Sequence, residues 1–331
     1  MIALTFQSLL QRFFVDRLLG QLGASAHTVA AYRDAFRLLL RFAGDSLRRA
    51  PFELRIEDLD ASFVGRFLEH LEVVRGNSAR TRNNRLSALH AFFRYVAICE
   101  PALALHCQRI LSIPSKRYER GPVEFLTEEE TAALVAAPDP GTWIGRRDRT
   151  LLLVVSETGL RNSEATSLRR QDVQFGTGAH IGCLGKGRKM RCTPLHPEVA
   201  AVLREWMAQQ RDKPDDYVFP SSRGGRLSSD AFQKIFSRHA IAARQRCPSL
   251  AAKAVSPHTL RHSTAMTLLR RGVDLSVIAL WLGHESMETT QVYLHADMQL
   301  KERALAYATS SGITPVRYSA PDPLLAFLES L

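Results

Sequence analysis

Apolar residues recur at helical spacing along much of the chain, and that rhythm turns strand-like only in a glycine-punctuated tract after Asp172. Few folds combine so many helices with so little strand. Phe6, Leu9, Leu10, Phe13 and Phe14 form a first apolar stripe, and Val29, Tyr32, Phe36 and Leu39 a second. Residues 5–43 therefore read as two helices joined by a turn over 22–28, which holds Gly23 and Ser25. A third amphipathic segment spans 61–74, with Glu57, Asp58 and Asp60 near its positive end. A fourth follows Gly76-Asn77-Ser78. Its Leu86, Leu89, Phe92, Phe93 and Val96 form a buried stripe, while Arg80, Arg82 and Arg85 are expected off it.

Periodicity fades between Pro101 and Pro122, a stretch that contains Pro114 and the cluster Lys116-Arg117-Tyr118-Glu119-Arg120. It reads as a basic linker. Thr127 followed by Glu128, Glu129 and Glu130 is a capping-box helix start and opens a second domain. Helix is expected again over 147–159. Short β-like runs follow at 173–175, 180–184 and 189–195, broken by Gly176, Gly178, Gly185 and Gly187, and helical spacing returns from Pro197. The expected fold is mainly α with a small antiparallel β-sheet. The expected domains are a helical one over 1–105, a linker over 106–122, a second domain over 123–310 and a tail over 311–331.

The chain's 331 residues suit two cores, and no segment approaches the apolar span of a membrane helix. Met1 to Leu19 carries Arg12, Asp16 and Arg17, which marks an amphipathic helix rather than an export signal. Five cysteines, with no C-x-x-C pair or zinc-type spacing, are expected as free thiols in a reducing cytoplasm. The formal charge of +11 suits a polyanionic partner. Between residues 75 and 120 the basic side chains Arg75, Arg80, Arg82, Arg85, Arg94, Arg109, Lys116, Arg117 and Arg120 face only Glu100 and Glu119. A solvated helix face mixes its signs more evenly, so nucleic acid is the expected partner.

Candidate chemistry lies in the second domain. Ser256-Pro257-His258-Thr259-Leu260-Arg261-His262 starts a helix, which puts His258 and Arg261 on one face at its positive end, where a phosphate is favoured. A helix over 275–282 stops at Gly283, with His284 just past it, and Ser286 can cap the next helix, which carries Tyr293. Arg161 follows a Gly159 turn with Glu164 close enough to orient it, and Lys186 sits at the tip of the β-hairpin. Taken singly, each has a plain structural explanation.

Taken together, TGLRNSE (158–164), GKGRK (185–189), HTLRH (258–262), LGH (282–284) and TTQVYLH (289–295) resemble the tyrosine recombinase (phage integrase) family in order and, for the last three, in spacing. Asn83-Asn84-Arg85-Leu86-Ser87-Ala88-Leu89 followed by Phe92-Phe93 resembles that family's core-binding helix. The resemblance implies a two-domain DNA clamp. It implies a DNA site-specific recombinase or integrase in which Tyr293 attacks the scissile phosphate and forms a 3′-phosphotyrosyl link, conserving bond energy with no metal or ATP. Arg161 and Arg261 would meet the charge on the non-bridging oxygens. His284 would hold a phosphate oxygen, Lys186 would protonate the leaving 5′ oxygen, and His258 is the nearest helper for the phenolic proton. Glu164 would orient Arg161, and His262 would support the site from behind. DNA contacts are expected from Arg80, Arg82, Arg85, Lys116, Arg117, Arg120, Arg188 and Lys189.

The resemblance further implies double-stranded DNA at specific sites, a homo-oligomer (a tetramer on two duplexes), accessory recombinases or DNA-bending proteins as companions, and a nucleoid-associated place in the cytoplasm. Rival readings are a type IB topoisomerase, a DNA-binding protein without activity, and a zinc site built from His258, His262, His284 and His295, which leaves the arginines unexplained. The tail puts four leucines and a phenylalanine in the eight positions 324–331, so it is expected to dock on protein, its own domain or a neighbour's.

Overall fold

The computed structural model describes residues 5–119, 123–184, 190–210, 216–284, 286 and 288–296. They fall into two compact units that divide between Arg120 and Gly121.

The first unit is helical throughout: α1 (Phe6–Arg12, continuing through Phe13–Gln21 in wider π-type turns), α2 (Ala26–Leu47), α3 (Ala61–Val73), α4 (Ala79–Cys99) and α5 (Ala104–Leu111). Thr5, Ser25, Asp60 and Ser78 each accept a hydrogen bond from the amide three residues on, so the first four helices start on short polar side chains. The core is aromatic, with the Phe36 and Phe92 rings 5.1 Å apart and Phe13 at 5.4 Å from Phe92, in edge-on arrangements. The expected α4 stripe of Leu86, Leu89, Phe92, Phe93 and Val96 is buried in it.

The start of the expected linker differs. Residues 104–111 fold as α5, whose Cys107 and Ile110 are buried in the same core. Asn83 then ties the following chain back, donating from its amide to the Lys116 carbonyl (2.8 Å) and accepting from the Lys116 amide (3.0 Å). An eight-residue helix is too short for its apolar spacing to stand out beside Pro101 and Pro114.

The second unit contains α6 (Glu128–Val135), α7 (Trp143–Thr158), α8 (Asn162–Ser167), strands β1 (Val173–Gln174), β2 (His180–Leu184) and β3 (Met190–Pro194), then α9 (Pro197–Ala208), α10 (Ser229–Ala243), α11 (Pro257–Arg270), α12 (Leu275–Leu282) and α13 (Glu288–Ala296). The sheet is antiparallel in the order β1-β2-β3, with Val173 opposite Ile181 and Ile181 opposite Thr193. The Thr127–Glu130 capping box is present in both directions. α7 runs through the main core, where Leu151, Leu152, Val154 and Val155 are buried. On the same helix Asp148, fully enclosed, is satisfied by Arg147, Arg238 and His239. A smaller cluster of Ala265, Met266, Leu269, Ile278, Leu282 and Tyr293 binds α11, α12 and α13 together. Among the described residues no helix is long and apolar enough to cross a membrane.

Candidate active site

Two helix C-termini build the floor of the site. α7 ends at Gly159 (φ 62°) and α12 at Gly283 (φ 63°), both left-handed, and the His284 amide closes the α12 end by bonding the Ala279 carbonyl at 2.9 Å. Helix ends leave carbonyls unpaired and carry partial negative charge. Here three consecutive carbonyls at the end of α12, those of residues 281–283, each receive a different arginine. Trp281 accepts from Arg191 (2.9 Å), Leu282 from Arg261, and Gly283 from Arg161 (2.9 Å). Arg261 also donates to the Gly159 carbonyl at 2.7 Å, so it bridges both helix ends.

Glu164, buried on α8, is the shared carboxylate of the cluster and pairs with Arg161 at 2.8 Å and Arg191 at 2.6 Å. Three guanidiniums against one carboxylate leave a positive excess. Burial, then the charges of Arg161 and Arg191, push Arg261 down to about 9, which keeps it charged at neutral pH. A fixed cluster with excess positive charge favours an anion beside it.

α11 carries the next groups. Ser256 and Thr259 cap its start, with the Ser256 amide 3.0 Å from the Thr259 hydroxyl, and Pro257 occupies the first turn. His258 is exposed, and its ring stands edge-on to His262 with centroids 4.4 Å apart. The Tyr293 hydroxyl, from α13, lies 2.9 Å from His262 Nδ1. Tyr293 is only 1% exposed, and burial raises it to about 12 against the lowering effect of Arg261 and Arg161. The His284 ring is stacked with the phenol at 6.3 Å, with its Nδ1 2.7 Å from the Thr290 hydroxyl. Burial and neighbouring positive charge hold both His262 and His284 down at about 4, so both are neutral near pH 7.

Arg161, Glu164, His258, Arg261, His262, His284 and Tyr293 are thus gathered in one region of the second unit. The group bonded to the Tyr293 hydroxyl is His262, where the sequence pointed to His258. Arg191 lies outside the sequence motifs. Its signal was the alternation of β3, in which Arg191 and Thr193 face inward between exposed Met190, Cys192 and Pro194. A charged residue in an inward strand position needs buried partners.

The expected DNA contacts divide. Arg80 and Arg117 are exposed, Lys116 pairs with Glu72 at 2.7 Å, and Arg85 donates to the Ala31 carbonyl at 3.1 Å. Arg82 corrects the expectation: it is buried and donates to the Pro114 carbonyl at 2.9 Å, because the chain after α5 returns across the start of α4. Lys186, Arg188, Lys189 and Arg120, together with the tail, lie outside the described residues.

The phage integrase family model matches residues 124–300, and the model of the phage integrase N-terminal SAM-like domain matches 11–97. The chain is 50% identical over 323 residues to the Sinorhizobium fredii protein y4rC, an integrase/recombinase by name, covering 98% of this chain and 97% of that one. It is 32% identical to the tyrosine recombinase XerD of Pseudomonas putida, over 85% of this chain and 91% of that one. The fold is that of the XerH site-specific recombinase in a post-cleavage complex with its difH substrate (TM-score 0.69, 23% identity, 86% of this chain and 81% of that one). It is also that of the Tn1549 transposon integrase bound to transposon right end DNA (TM-score 0.67, 15% identity, 92% and 99%). Family models thus cover both units, and the second of them holds the arginine and tyrosine cluster: the chain belongs to the phage integrase family, the site-specific tyrosine recombinases that break and rejoin DNA.

Proposed function

We propose that the protein recombines DNA at specific sites through a 3′-phosphotyrosyl intermediate on Tyr293, in the service of integration, transposition or resolution of a mobile element or replicon. The observation that carries this reading is geometric: Arg161 and Arg261 are both fixed by main-chain carbonyls in the unit that holds the buried Tyr293. A phosphodiester attacked in line accumulates charge on its non-bridging oxygens. Guanidiniums held in place beforehand meet that charge without reorganising. Each has more N–H donors than its protein contacts use, which leaves donors for phosphate.

The roles follow from chemistry and, for Lys186, from the resemblance to the family. Tyr293 is the nucleophile, Arg161, Arg261 and His284 hold the phosphate, Glu164 orients Arg161, and Lys186 supplies the proton to the departing 5′ oxygen. His258, exposed beside His262, contacts the DNA side of the site. Arg80, Arg117 and the hairpin residues Arg188 and Lys189 bind the duplex backbone, so that both units grip DNA. The working assembly is a tetramer on two duplexes, aided by accessory recombinases or DNA-bending proteins and linked by docking of residues 324–331 on a neighbouring copy. A mobile-element role draws support from the likeness to a transposon integrase.

The test is covalent trapping on a nicked suicide substrate made from DNA flanking the gene. A protein–DNA adduct is expected through Tyr293 and is lost in Tyr293→Phe with DNA binding intact. An adduct of unchanged yield in that variant overturns the mechanism.

A further inference from the structure

Within that reading of Tyr293 as nucleophile, we propose that His262 is a catalytic residue: its Nδ1 takes the phenolic proton as the Tyr293 oxygen bonds to phosphorus. The geometry is direct, with Nδ1 2.9 Å from the hydroxyl and the two rings edge-on at 5.6 Å. Tyr293 is 1% exposed, so its proton leaves to a protein group rather than to bulk water. The exposed His258 ring packs edge-on against His262, with centroids 4.4 Å apart.

The step balances. His262 begins neutral, as the tautomer with hydrogen on Nε2 and a lone pair on Nδ1. The phenolic oxygen forms the new bond to phosphorus, the bond from phosphorus to the 5′ oxygen breaks, and the phenolic proton moves to Nδ1 and makes an imidazolium. The 5′ oxygen takes its own proton from Lys186. The groups facing His262 are His258 and Arg261 on α11, Tyr293 on α13 and His284 after α12. Burial followed by the charges of His258 and Arg261 keeps His262 near 4, while Tyr293 stands near 12. That gap keeps the proton on tyrosine until bond formation makes the phenol acidic and an anion offsets Arg261.

The experiment uses the full chain and single-turnover adduct formation on a suicide duplex. His262→Asn places an amide near the Nδ1 position and keeps a hydrogen bond but no base; His262→Ala removes both. Both should bind DNA as the wild type does and form adduct about a hundredfold to ten-thousandfold more slowly. Added imidazole should restore part of the rate in His262→Ala. The defect should persist on a duplex with a 5′-bridging sulfur, since a thiolate leaves without a proton and only a leaving-group role is bypassed. A wild-type rate in His262→Asn overturns the proposal. So does a faster one, which would make the contact a restraint, and so does a defect cured by sulfur. If both variants fail to fold, ¹⁵N-histidine NMR of the wild type decides: hydrogen on Nε2 supports the role, and hydrogen on Nδ1 of His262 overturns it. An adduct that survives Tyr293→Phe instead overturns the nucleophile assignment and is read separately.

Discussion

The two basic regions of this molecule are built on opposite plans. In the first unit Arg80 and Arg117 project into solvent and Lys116 makes a surface ion pair with Glu72. In the second, Arg161, Arg191 and Arg261 are pinned by a carboxylate and by the carbonyls that end α7 and α12. Loose charges suit affinity, because a mobile side chain finds any phosphate and releases its counterions. Pinned charges suit chemistry, because a transition state does not wait for rearrangement. The contrast predicts that substitutions in the two regions fail in different ways.

The largest effect is expected from the pinned set. Arg161→Ala or Arg261→Ala should slow single-turnover cleavage by about 10²–10³-fold or more, with binding far less affected. Arg261→Ala should also lower stability by roughly 1–3 kcal/mol, as the Gly159 and Leu282 carbonyls lose a shared buried donor. Cleavage within about threefold of wild type in either variant would erase the distinction between the regions.

Next comes the turn that presents the carbonyls. A Cβ at Gly283 would sit 2.9 Å from Arg191 Cδ on a left-handed backbone, whereas Gly272, also left-handed, opens onto free space. Gly283→Ala should cost about 2 kcal/mol or more and slow cleavage, and Gly272→Ala about 1 kcal/mol with cleavage intact. Equal losses in thermal unfolding and in cleavage would remove Gly283 from the site.

Acid should act on the second unit through His262 and His284, both near 4 when folded and near ~6.5 when unfolded. Across that window the unfolded chain binds more protons, so stability falls as pH drops from ~6.5 toward 4 and levels off below. Both rings are partly solvated, which limits the combined loss to roughly 1–3 kcal/mol. Denaturant midpoints at pH 7, 5.5 and 4 measure it. A His262→Asn, His284→Asn double variant should flatten the dependence, and an unchanged slope would assign it to other groups.

The smallest effects belong to the loose set. Arg80→Ala and Arg117→Ala should each weaken duplex binding modestly and reduce the log–log salt slope by about 0.9 per phosphate contact, with cleavage of bound DNA unaltered. Arg82→Ala should instead lower stability and leave the slope alone, because its guanidinium holds the Pro114 carbonyl. A slope change equal to that of Arg80→Ala would return Arg82 to the DNA-facing set.

Much of this was legible in the linear sequence where the signal is local. The α4 stripe, the Thr127 capping box, the glycine ends of α7 and α12 and the helix start at Ser256-Pro257 are all written within a few residues. Tyr293, Arg161, Arg261 and His284 came forward through short motifs. What was not legible depends on chain returning from afar. Arg82 lies off the apolar stripe by helical arithmetic and is covered only because residues near Pro114 fold back. The contact of His262 with the Tyr293 hydroxyl spans 31 residues and requires the register of α13 on α11. Arg191 needs partners on α8 and α12 before its burial makes sense.

The acceptors that seat the three arginines at the end of α12 are peptide oxygens, and peptide oxygens have no codon. Replacing Trp281 or Leu282 changes packing but leaves each carbonyl in the chain, whereas a carboxylate seat could be deleted by a single base change and would also cancel the charge it held. At this helix end the arrangement therefore confines mutational risk to the donors, to Glu164, whose carboxylate pairs with two of them, and to the residue whose backbone turns the carbonyls inward. Gly283 is that residue, and it carries no side chain to announce the role.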